Sequence, residues 1–139
     1  MKVYLAGAIH HVSPSFAVKW RQEAATYLKA IGYGVMDPTE GKDLYHPAVN
    51  TDLYTPRQIV ESDKDMIDRA DILLVEMSRS DVPYVGTSME ILYAWERDKH
   101  IVVWGGTKSY WVRYHANNVF LTLREALKEL EELKLLVET

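Results

Sequence analysis

The sequence predicts an α/β protein, in which a doubly wound sheet of four to five mostly parallel strands is flanked by helices. Strand-like and helix-like patterns alternate along the chain, which is the arrangement that builds a parallel sheet through crossover helices. The run ILLV at residues 72–75 is continuously apolar, as in a strand that is covered on both faces. The chain has 139 residues, enough for one hydrophobic core, so we predict a single domain over residues 1–139.

The first strand and the first helix have clear signals at their ends. Residues 2–8 are a short apolar run that predicts a strand. Ser13 suits the N-cap of the helix that follows, and Pro14 suits its first helical position, where a missing N–H breaks no hydrogen bond. Apolar residues recur at helical spacing between positions 16 and 31, and Gly32 suits the C-terminal cap.

A second strand, a long loop and a second helix come next. Residues 33–36 predict the strand. Residues 38–54 contain Gly, Pro, Asn and Asp with little period, and they predict a loop of the length that often covers a site. The sequence TPRQ at residues 55–58 is a capping box with Pro at the first helical position, so it predicts a helix that runs to about Arg69.

The rest of the chain continues the alternation of strands and helices. The predicted elements are, in order, a strand at 71–77, a loop at 78–85, a helix from 86 to about 98, a strand at 101–104, a short strand at 119–121 and a helix at 123–137. In such a sheet the carboxyl ends of the strands meet at one edge, and this edge is where α/β proteins bind ligands.

Composition excludes several classes of function. The chain has no Cys, which excludes disulfides, thiolate metal sites and a Cys nucleophile. It has 16 Lys and Arg against 20 Asp and Glu, a net charge of -4 that argues against a nucleic-acid polymer as partner. No apolar run approaches the roughly 18 residues of a membrane span, and the N-terminus lacks a signal-peptide pattern. We therefore predict a cytoplasmic protein with no membrane partner.

No common nucleotide or metal motif is present. The chain lacks the GxxxxGKS or GxxxxGKT loop, GxGxxG and GxSxG. Its His residues lack the i, i+4 helical spacing of a common zinc site. For the adjacent His10 and His11 we favour a loop that is solvated or lines a substrate over a metal site. The sequence thus predicts no metal and no cofactor.

Asp63 is the first candidate for chemistry. On a helical projection of the second helix it falls in the middle of the apolar stripe, whereas Asp65 and Asp68 point away. The stripe consists of Ile59, Met66, Ile67 and Ala70. A carboxylate on a buried face costs free energy unless a partner compensates it. Two interpretations remain open: a helix cap or internal salt bridge, and a cavity-facing acid that hydrogen-bonds a ligand or exchanges a proton.

Glu90 and Tyr4 are the other candidates. Glu90 lies at the start of the third predicted helix, after a strand and a loop, where α/β proteins bind ligands. The sequence TSME at residues 87–90 is equally a capping box, and a helix N-terminus keeps a carboxylate ionised. A carboxylate that attacks an anomeric carbon must be ionised, so capping the helix and acting as a nucleophile are compatible roles for Glu90. Tyr4 either packs in the sheet or offers its hydroxyl to a carboxylate at the same edge.

These residues occur in an order and spacing that resemble a known enzyme family. The motifs are YLAGAI at residues 4–9, Asp63 ahead of the strand entry at residues 70–71, and GTSME at residues 86–90. Over roughly residues 2–122 the chain resembles the nucleoside 2-deoxyribosyltransferases and the related deoxynucleoside 5′-monophosphate N-glycosidases. The resemblance implies a flavodoxin-like fold and a double-displacement reaction that needs no metal and no thiol.

The resemblance also implies a role for each candidate. Glu90 would be the nucleophile that attacks the anomeric carbon of deoxyribose and forms a covalent deoxyribosyl-enzyme. Tyr4 would hold the Glu90 carboxylate, and Asp63 would contact the leaving base and help to protonate it. A second base, or water, would then collect the sugar, as in retaining glycoside hydrolysis. Gly7 and Gly86, in the first and last motifs, would lie against the substrate.

Several positions depart from the patterns of these relatives. Relatives that act on free nucleosides often carry an Asp six residues before the nucleophile, where this chain has Tyr84, with Asp81 nearby as a substitute. The monophosphate N-glycosidases hold phosphate with a Ser and an Arg in the opening loop and a Ser before the nucleophile. The matching positions here are Ala8, His10 and Tyr84. Because these three phosphate-binding residues are absent, a 5′-phosphate substrate is disfavoured, although His10 could still bind a phosphate. Free nucleosides and nucleobases are therefore the predicted substrates.

The resemblance further implies a homo-oligomer in which a neighbouring subunit completes the sugar site. The nearest match to the contributed residue is Ser109, in a segment at 109–115 that is otherwise typical of an ordinary interface loop. Four or five strands with their helices use nearly all of the chain, so cover for the substrate must come from residues 38–54 and from another subunit. Aromatic candidates for this cover are Tyr84, Tyr110, Trp111 and Tyr114.

Three hypotheses follow from the sequence. The first is a transferase that moves 2-deoxyribose between nucleobases in nucleoside salvage. The second is an N-glycosidase that hydrolyses 2′-deoxynucleosides or their 5′-monophosphates. The third is a non-catalytic nucleotide-binding domain on the same fold, because a fold alone does not establish a function.

Overall fold

The structure, a computed structural model, describes residues 1–42 and 55–138, and in them five parallel strands alternate with five helices. The strands are β1 (Lys2–Ala6), β2 (Gly34–Met36), β3 (Ile72–Glu76), β4 (His100–Trp104) and β5 (Asn118–Phe120). The helices are α1 (Pro14–Ala30), α2 (Pro56–Arg69), α3 (Val85–Trp95), α4 (Tyr110–His115) and α5 (Leu123–Glu138). The sheet order is β2-β1-β3-β4-β5, which confirms the predicted doubly wound, flavodoxin-like sheet.

Helices cover both faces of the sheet. Successive residues of a strand point to opposite faces, so the ILLV run of β3 needs an apolar side chain at every position. Leu74 packs with α1 and α5 on one face, and Leu73 packs with α2 and α3 on the other. Within the two described ranges, no helix is both long enough and apolar enough to cross a bilayer.

Side-chain caps confirm the predicted ends of α1 and α2. Ser13 Oγ accepts a hydrogen bond from the Phe16 N–H at 3.1 Å. Thr55 and Gln58 form the reciprocal capping box, in which each side chain accepts a hydrogen bond from the backbone N–H of the other residue. Gly32 follows the last residues of α1 with a φ of 100°, a left-handed conformation that glycine adopts without strain.

Two helices differ from the sequence-based prediction. α3 begins at Val85, and its N-cap Tyr84 makes no side-chain capping bond, so the capping box proposed at residues 87–90 is wrong. Those residues already lie inside the helix. The segment at 109–115, taken as a loop, contains the short helix α4, for which Ser109 is the N-cap. Six residues are too few to show a repeat of apolar positions, so the N-cap Ser is the one local signal.

β1 ends two residues before its predicted end, because side chains bind the next backbone groups. The Arg21 guanidinium donates to the Gly7 carbonyl oxygen at 3.0 Å, and Glu76 Oε1 accepts from the Ala8 N–H at 3.3 Å. The chain therefore leaves the sheet at Gly7 and turns over its carboxyl edge.

The loop that follows β2 is described only at its start. Asp37 Oδ1 accepts hydrogen bonds from the Thr39 N–H at 2.8 Å and from the Thr39 hydroxyl at 2.6 Å. These bonds fix the first turn after the strand. Residues 43–54, which make up most of the loop predicted at 38–54, lie outside the described residues.

Candidate active site

A cavity of about 530 Å³ opens at the carboxyl edge of the sheet, beside the ends of β1 and β3. The strand order reverses direction here, since β2 lies on one side of β1 and β3 on the other, and doubly wound proteins bind ligands at such a point. Eight of the ten site residues that we proposed from the sequence line this cavity. They are Tyr4, Gly7, Ala8, His10, Asp63, Tyr84, Gly86 and Glu90.

Tyr4 and Glu90 make the central contact of the cavity. The Tyr4 hydroxyl donates a hydrogen bond to Glu90 Oε2 at 2.5 Å, although the residues lie 86 positions apart in the sequence. Tyr4 is 1% exposed and stands on β1, while Glu90 reaches it from the second turn of α3. The sheet therefore orients this carboxyl group, and the backbone amides of the helix N-terminus do not.

The surroundings of Glu90 favour its neutral form. Burial raises the pKa of Glu90 to about 8, the hydrogen bond from Tyr4 opposes that rise, and the nearby Asp63 adds to it. These surroundings therefore favour the protonated carboxyl more than water does. Glu90 lies past the first turn of α3, so the helix N-terminus that we expected to keep it ionised acts on it only weakly.

We expect Glu90→Gln to stabilise the folded protein at pH 8 and to have little effect at pH 4. The unfolded carboxyl ionises near its ordinary pKa of 4.5, whereas the folded one keeps its proton up to about 8. The contribution of this proton to the free energy of unfolding is fully present below pH 4.5 and is lost as the pH rises through 8. Gln has no such loss, so calorimetry should show a Tm higher by on the order of 5 °C at the upper pH. An equal Tm difference at both pH values would contradict the raised pKa.

Asp63 faces the cavity from α2, as its place in the apolar stripe predicted. Burial raises the pKa of the Asp63 carboxyl, and the charges of Lys42, Arg21 and His10 oppose the rise. Its Oδ1 is buried and has no hydrogen-bond partner among the described residues. A buried acceptor of this kind is costly unless a ligand or a proton satisfies it. Of the two interpretations of Asp63, the geometry favours the cavity-facing acid.

Tyr84 lines the cavity, but its hydroxyl group is bound elsewhere. The hydroxyl donates to Glu76 Oε2 at 2.5 Å and accepts from the Arg79 N–H at 3.1 Å. The backbone of Tyr84 has a φ of 51° and a ψ of 36°, a left-handed conformation that is uncommon outside glycine. Tyr84 therefore contributes a wall to the cavity and no free polar group.

Two of the proposed site residues lie outside the cavity. Asp81 is exposed and pairs with Arg79, whose Nη2 lies 3.0 Å from Asp81 Oδ2. Ser109 Oγ accepts from the Val112 N–H at 3.4 Å and borders a second groove of about 280 Å³ between α3 and α4. Neither side chain therefore contacts the cavity of its own chain.

The loop between β1 and α1 places His10 and His11 in the cavity wall. In the part of the chain that the structure describes, no three His, Asp or Glu side chains are grouped as metal ligands would be. The charge of His10 is among those that oppose the effect of burial on the Asp63 carboxyl pKa. The loop therefore supplies two imidazole side chains to the wall of the cavity.

Two buried charged residues, Glu76 and Arg21, support the cavity and were not predicted from the sequence. Both are 0% exposed. Glu76 accepts hydrogen bonds from Ala8, Ser78 and Tyr84. A Cβ atom at Gly7 would lie 3.0 Å from the Glu76 side chain, so any larger residue here would have to displace it. The sequence does contain a signal for both residues, which is a charge at a core position. Glu76 ends the apolar run of β3, and Arg21 falls in the apolar stripe of α1.

Solved structures share this fold. A 2-deoxyribosyltransferase from Bacillus psychrosaccharolyticus is 18% identical, with a TM-score of 0.70 over 94% of this chain and 90% of that one. A 2-deoxyribosyltransferase from Leishmania mexicana is 17% identical, with a TM-score of 0.70 over 94% and 97%. A CMP N-glycosidase from Clostridium botulinum is 22% identical, with a TM-score of 0.62 over 97% and 99%. At these identities the likeness shows the fold alone.

A match to a family model shows the family of this chain. A separate sequence search among curated proteins found no match. The model of the nucleoside 2-deoxyribosyltransferase family matches residues 3–129, which include Tyr4, Asp63 and Glu90. Since this match covers nearly the whole chain, from β1 into α5, the protein belongs to the nucleoside 2-deoxyribosyltransferase family.

Proposed function

We propose that the protein transfers 2-deoxyribose between nucleobases through a covalent intermediate on Glu90. The family consists of enzymes that act on N-glycosidic bonds, and transfer to a second base is the specific reaction that we infer. One observation carries the proposal. The partly buried carboxyl group of Glu90, held by the Tyr4 hydroxyl at 2.5 Å, shares a cavity with the protonatable Asp63.

In the first half of the reaction the ionised Glu90 attacks C1′ of the deoxyribose ring. The C1′–N bond breaks, and its electron pair stays on the base nitrogen, while the leaving base takes a proton from Asp63. The raised pKa of Asp63 favours the protonated form that this step needs. The Tyr4 hydroxyl favours the ionised Glu90 by hydrogen-bonding its Oε2.

In the second half an incoming base attacks C1′ from the opposite face and returns a proton to Asp63. The bond between C1′ and Glu90 then breaks, and the carboxylate is regenerated. Two inversions at C1′ give overall retention of configuration. Water in the place of the incoming base would give hydrolysis, so the same residues serve both reactions, and access of water to the intermediate decides between them.

We propose free nucleosides, in preference to 5′-monophosphates, as substrates. Ala8 offers no side-chain hydrogen bond to a phosphate, and the Tyr84 hydroxyl is already bonded to Glu76. The buried Glu76, which accepts hydrogen bonds from Ala8, Ser78 and Tyr84 beside the cavity, would also repel a phosphate. His10 in the cavity wall is the one observation that favours the alternative, a glycosidase of monophosphates.

Base exchange tests the proposed function. Deoxyinosine incubated with adenine should give deoxyadenosine, and several other donor and acceptor pairs should be tried at a range of temperatures. Free base that appears without an acceptor, and faster from the 5′-monophosphate, would replace transfer with hydrolysis. If neither exchange nor release occurs with any pair, the non-catalytic hypothesis gains.

We also propose that a second copy of the chain covers the cavity. An apolar surface, called here the α3–α4 face, is exposed beside the cavity mouth; it is formed by Val85, Met89, Leu92, Trp95, Tyr110, Trp111 and Tyr114. An exposed apolar patch of this kind is typical of an interface. Val85, Met89 and Leu92 also line the cavity, so a partner on this face would close it.

Trp111→Glu should therefore dissociate the oligomer and lower the rate of exchange. Trp111 is 79% exposed, so the variant should fold, and its charge would be buried only in the assembled state. Sedimentation velocity should show an oligomer for the wild type and a monomer for the variant. The matched control is Leu135→Glu, on the exposed end of α5 and across the sheet from α3. A monomeric wild type with full activity would contradict the proposal.

A further inference from the structure

Arg21 is a charged side chain inside the core, outside the cavity and on the opposite face of the sheet from α3. It is 0% exposed and occupies the apolar stripe of α1 beside Trp20. Burial of a guanidinium costs several kcal/mol unless hydrogen bonds and opposite charge compensate it. The groups that its guanidinium binds therefore indicate the role of an arginine at this position.

The guanidinium of Arg21 binds the carboxyl ends of two strands. Its Nε donates to the Leu5 carbonyl oxygen at 3.3 Å and its Nη2 donates to the Gly7 carbonyl oxygen at 3.0 Å, both at the end of β1. Its Nη1 donates to the Ala17 carbonyl oxygen at 2.8 Å, which anchors the group to α1. Nε also lies 3.8 Å from Oδ1 of Asp37, the residue that follows β2. One side chain thus joins β1, β2 and α1.

Both strand ends continue into walls of the cavity. Gly7 lines the cavity and leads into the loop that carries His10. Asp37 precedes Pro38, which lines the cavity as well, and Asp37 Oδ1 also holds the backbone of Thr39. The spacing of these two walls therefore depends on the guanidinium between them.

The charge of Arg21 also acts on the reacting groups. Burial raises the pKa values of Glu90 and Asp63, and the positive charge of Arg21 works against that rise in both. Charge interactions are stronger in a buried region than in water, so the buried cation of Arg21 matters to the partly buried carboxyl groups at this edge. The negative charge of Asp37 partly offsets that cation at the short distance between them.

We propose that Arg21 is a positioning residue for the reaction at Glu90, which sets the spacing of the two cavity walls and supplies a fixed positive charge to the ionised nucleophile. Asp37 moderates that charge. The proposal extends the proposed function, since it takes Glu90 as the nucleophile. Its first test needs no substrate, so it can fail or succeed independently of the proposed reaction.

The first test follows the Glu90 carboxyl directly. In protein labelled with ¹³C-glutamate, the signal that disappears in Glu90→Gln identifies its carboxyl carbon, which is then titrated. Arg21→Met should move the midpoint to higher pH, and Asp37→Asn should move it to lower pH while it keeps an acceptor oxygen for Thr39. Lys19→Gln removes an exposed charge from the same helix and should leave the midpoint in place. An unmoved midpoint in a folded Arg21→Met overturns the role of the charge.

The second test separates charge from shape. Arg21→Lys keeps the positive charge but replaces the planar guanidinium with a single ammonium group. For Arg21→Lys we expect a Glu90 titration midpoint close to that of the wild type, together with a raised KM. Arg21→Met should move the midpoint and should lower kcat/KM at pH 7 by about tenfold for each pH unit of that shift. If Arg21→Met does not fold, the Arg21→Lys and Asp37→Asn variants test the proposal without it. A wild-type KM in Arg21→Lys, or an unmoved midpoint in Asp37→Asn, overturns the proposal.

Discussion

Glu90→Ala is expected to remove nearly all turnover, a loss on the order of 10⁴-fold or more. The substitution removes the oxygen that would bond to C1′, and no other described carboxyl group receives a hydrogen bond from the Tyr4 hydroxyl. The loss should appear in kcat for base exchange. Nucleoside binding should remain, because the walls formed by Gly7, Ala8 and Tyr84 are unchanged.

The control for this variant lies one turn and a half further along the chain. Glu96 is exposed at the rim of the same cavity, and Glu96→Ala should change the rate only slightly. Circular dichroism should show that both variants fold. If Glu90→Ala retains the wild-type rate of exchange, Glu90 is not the nucleophile. If the wild type shows no turnover and Glu90→Ala keeps its ligand affinity, the non-catalytic hypothesis is favoured.

Asp63→Asn is expected to lower the rate of exchange by about 10²–10⁴-fold, as the loss of an acid-base group usually does. Asn has nearly the shape of Asp but cannot give a proton to the leaving base. Donors whose bases leave easily without protonation should lose less. The loss should therefore vary with the leaving base when kcat/KM is measured for a series of nucleosides.

The pH profile of Asp63→Asn provides an independent check. Asp63 can protonate the base only while it carries its proton, so the fall of kcat/KM at high pH that its ionisation causes should be absent in Asp63→Asn. Asp65→Asn, an exposed change on the same helix, is the matched control and should leave both rate and profile as in the wild type. An Asp63→Asn variant with an undiminished rate would mean that Asp63 does not protonate the base.

The fold was predictable because its signals are local. The apolar run of β3, the cap at Ser13 and the capping box at residues 55–58 each lie within a few consecutive residues. α4 was missed because a helix of one and a half turns shows no repeat of apolar positions. The start of α3 was misplaced because TSME has the composition of a capping box, whereas the left-handed turn at Tyr84 has no sequence signal.

The site was predictable in part. The helical projection placed Asp63 on a buried face, and the resemblance joined it to Tyr4 and Glu90. The raised pKa of Glu90 could not be predicted, because it depends on burial that only the packed sheet and α3 create. Arg21 was missed because sequence shows a charge in an apolar stripe but not the carbonyl groups that surround it.

The covalent intermediate on Glu90 is the central claim, and mass spectrometry tests it most directly. The wild type would be mixed with a deoxynucleoside, without an acceptor base, and quenched with acid. The intact protein should gain the mass of one deoxyribosyl group, and peptide mapping should place that group on Glu90, with no gain in Glu90→Ala. Turnover without any adduct, or an adduct on another residue, would contradict the proposed mechanism.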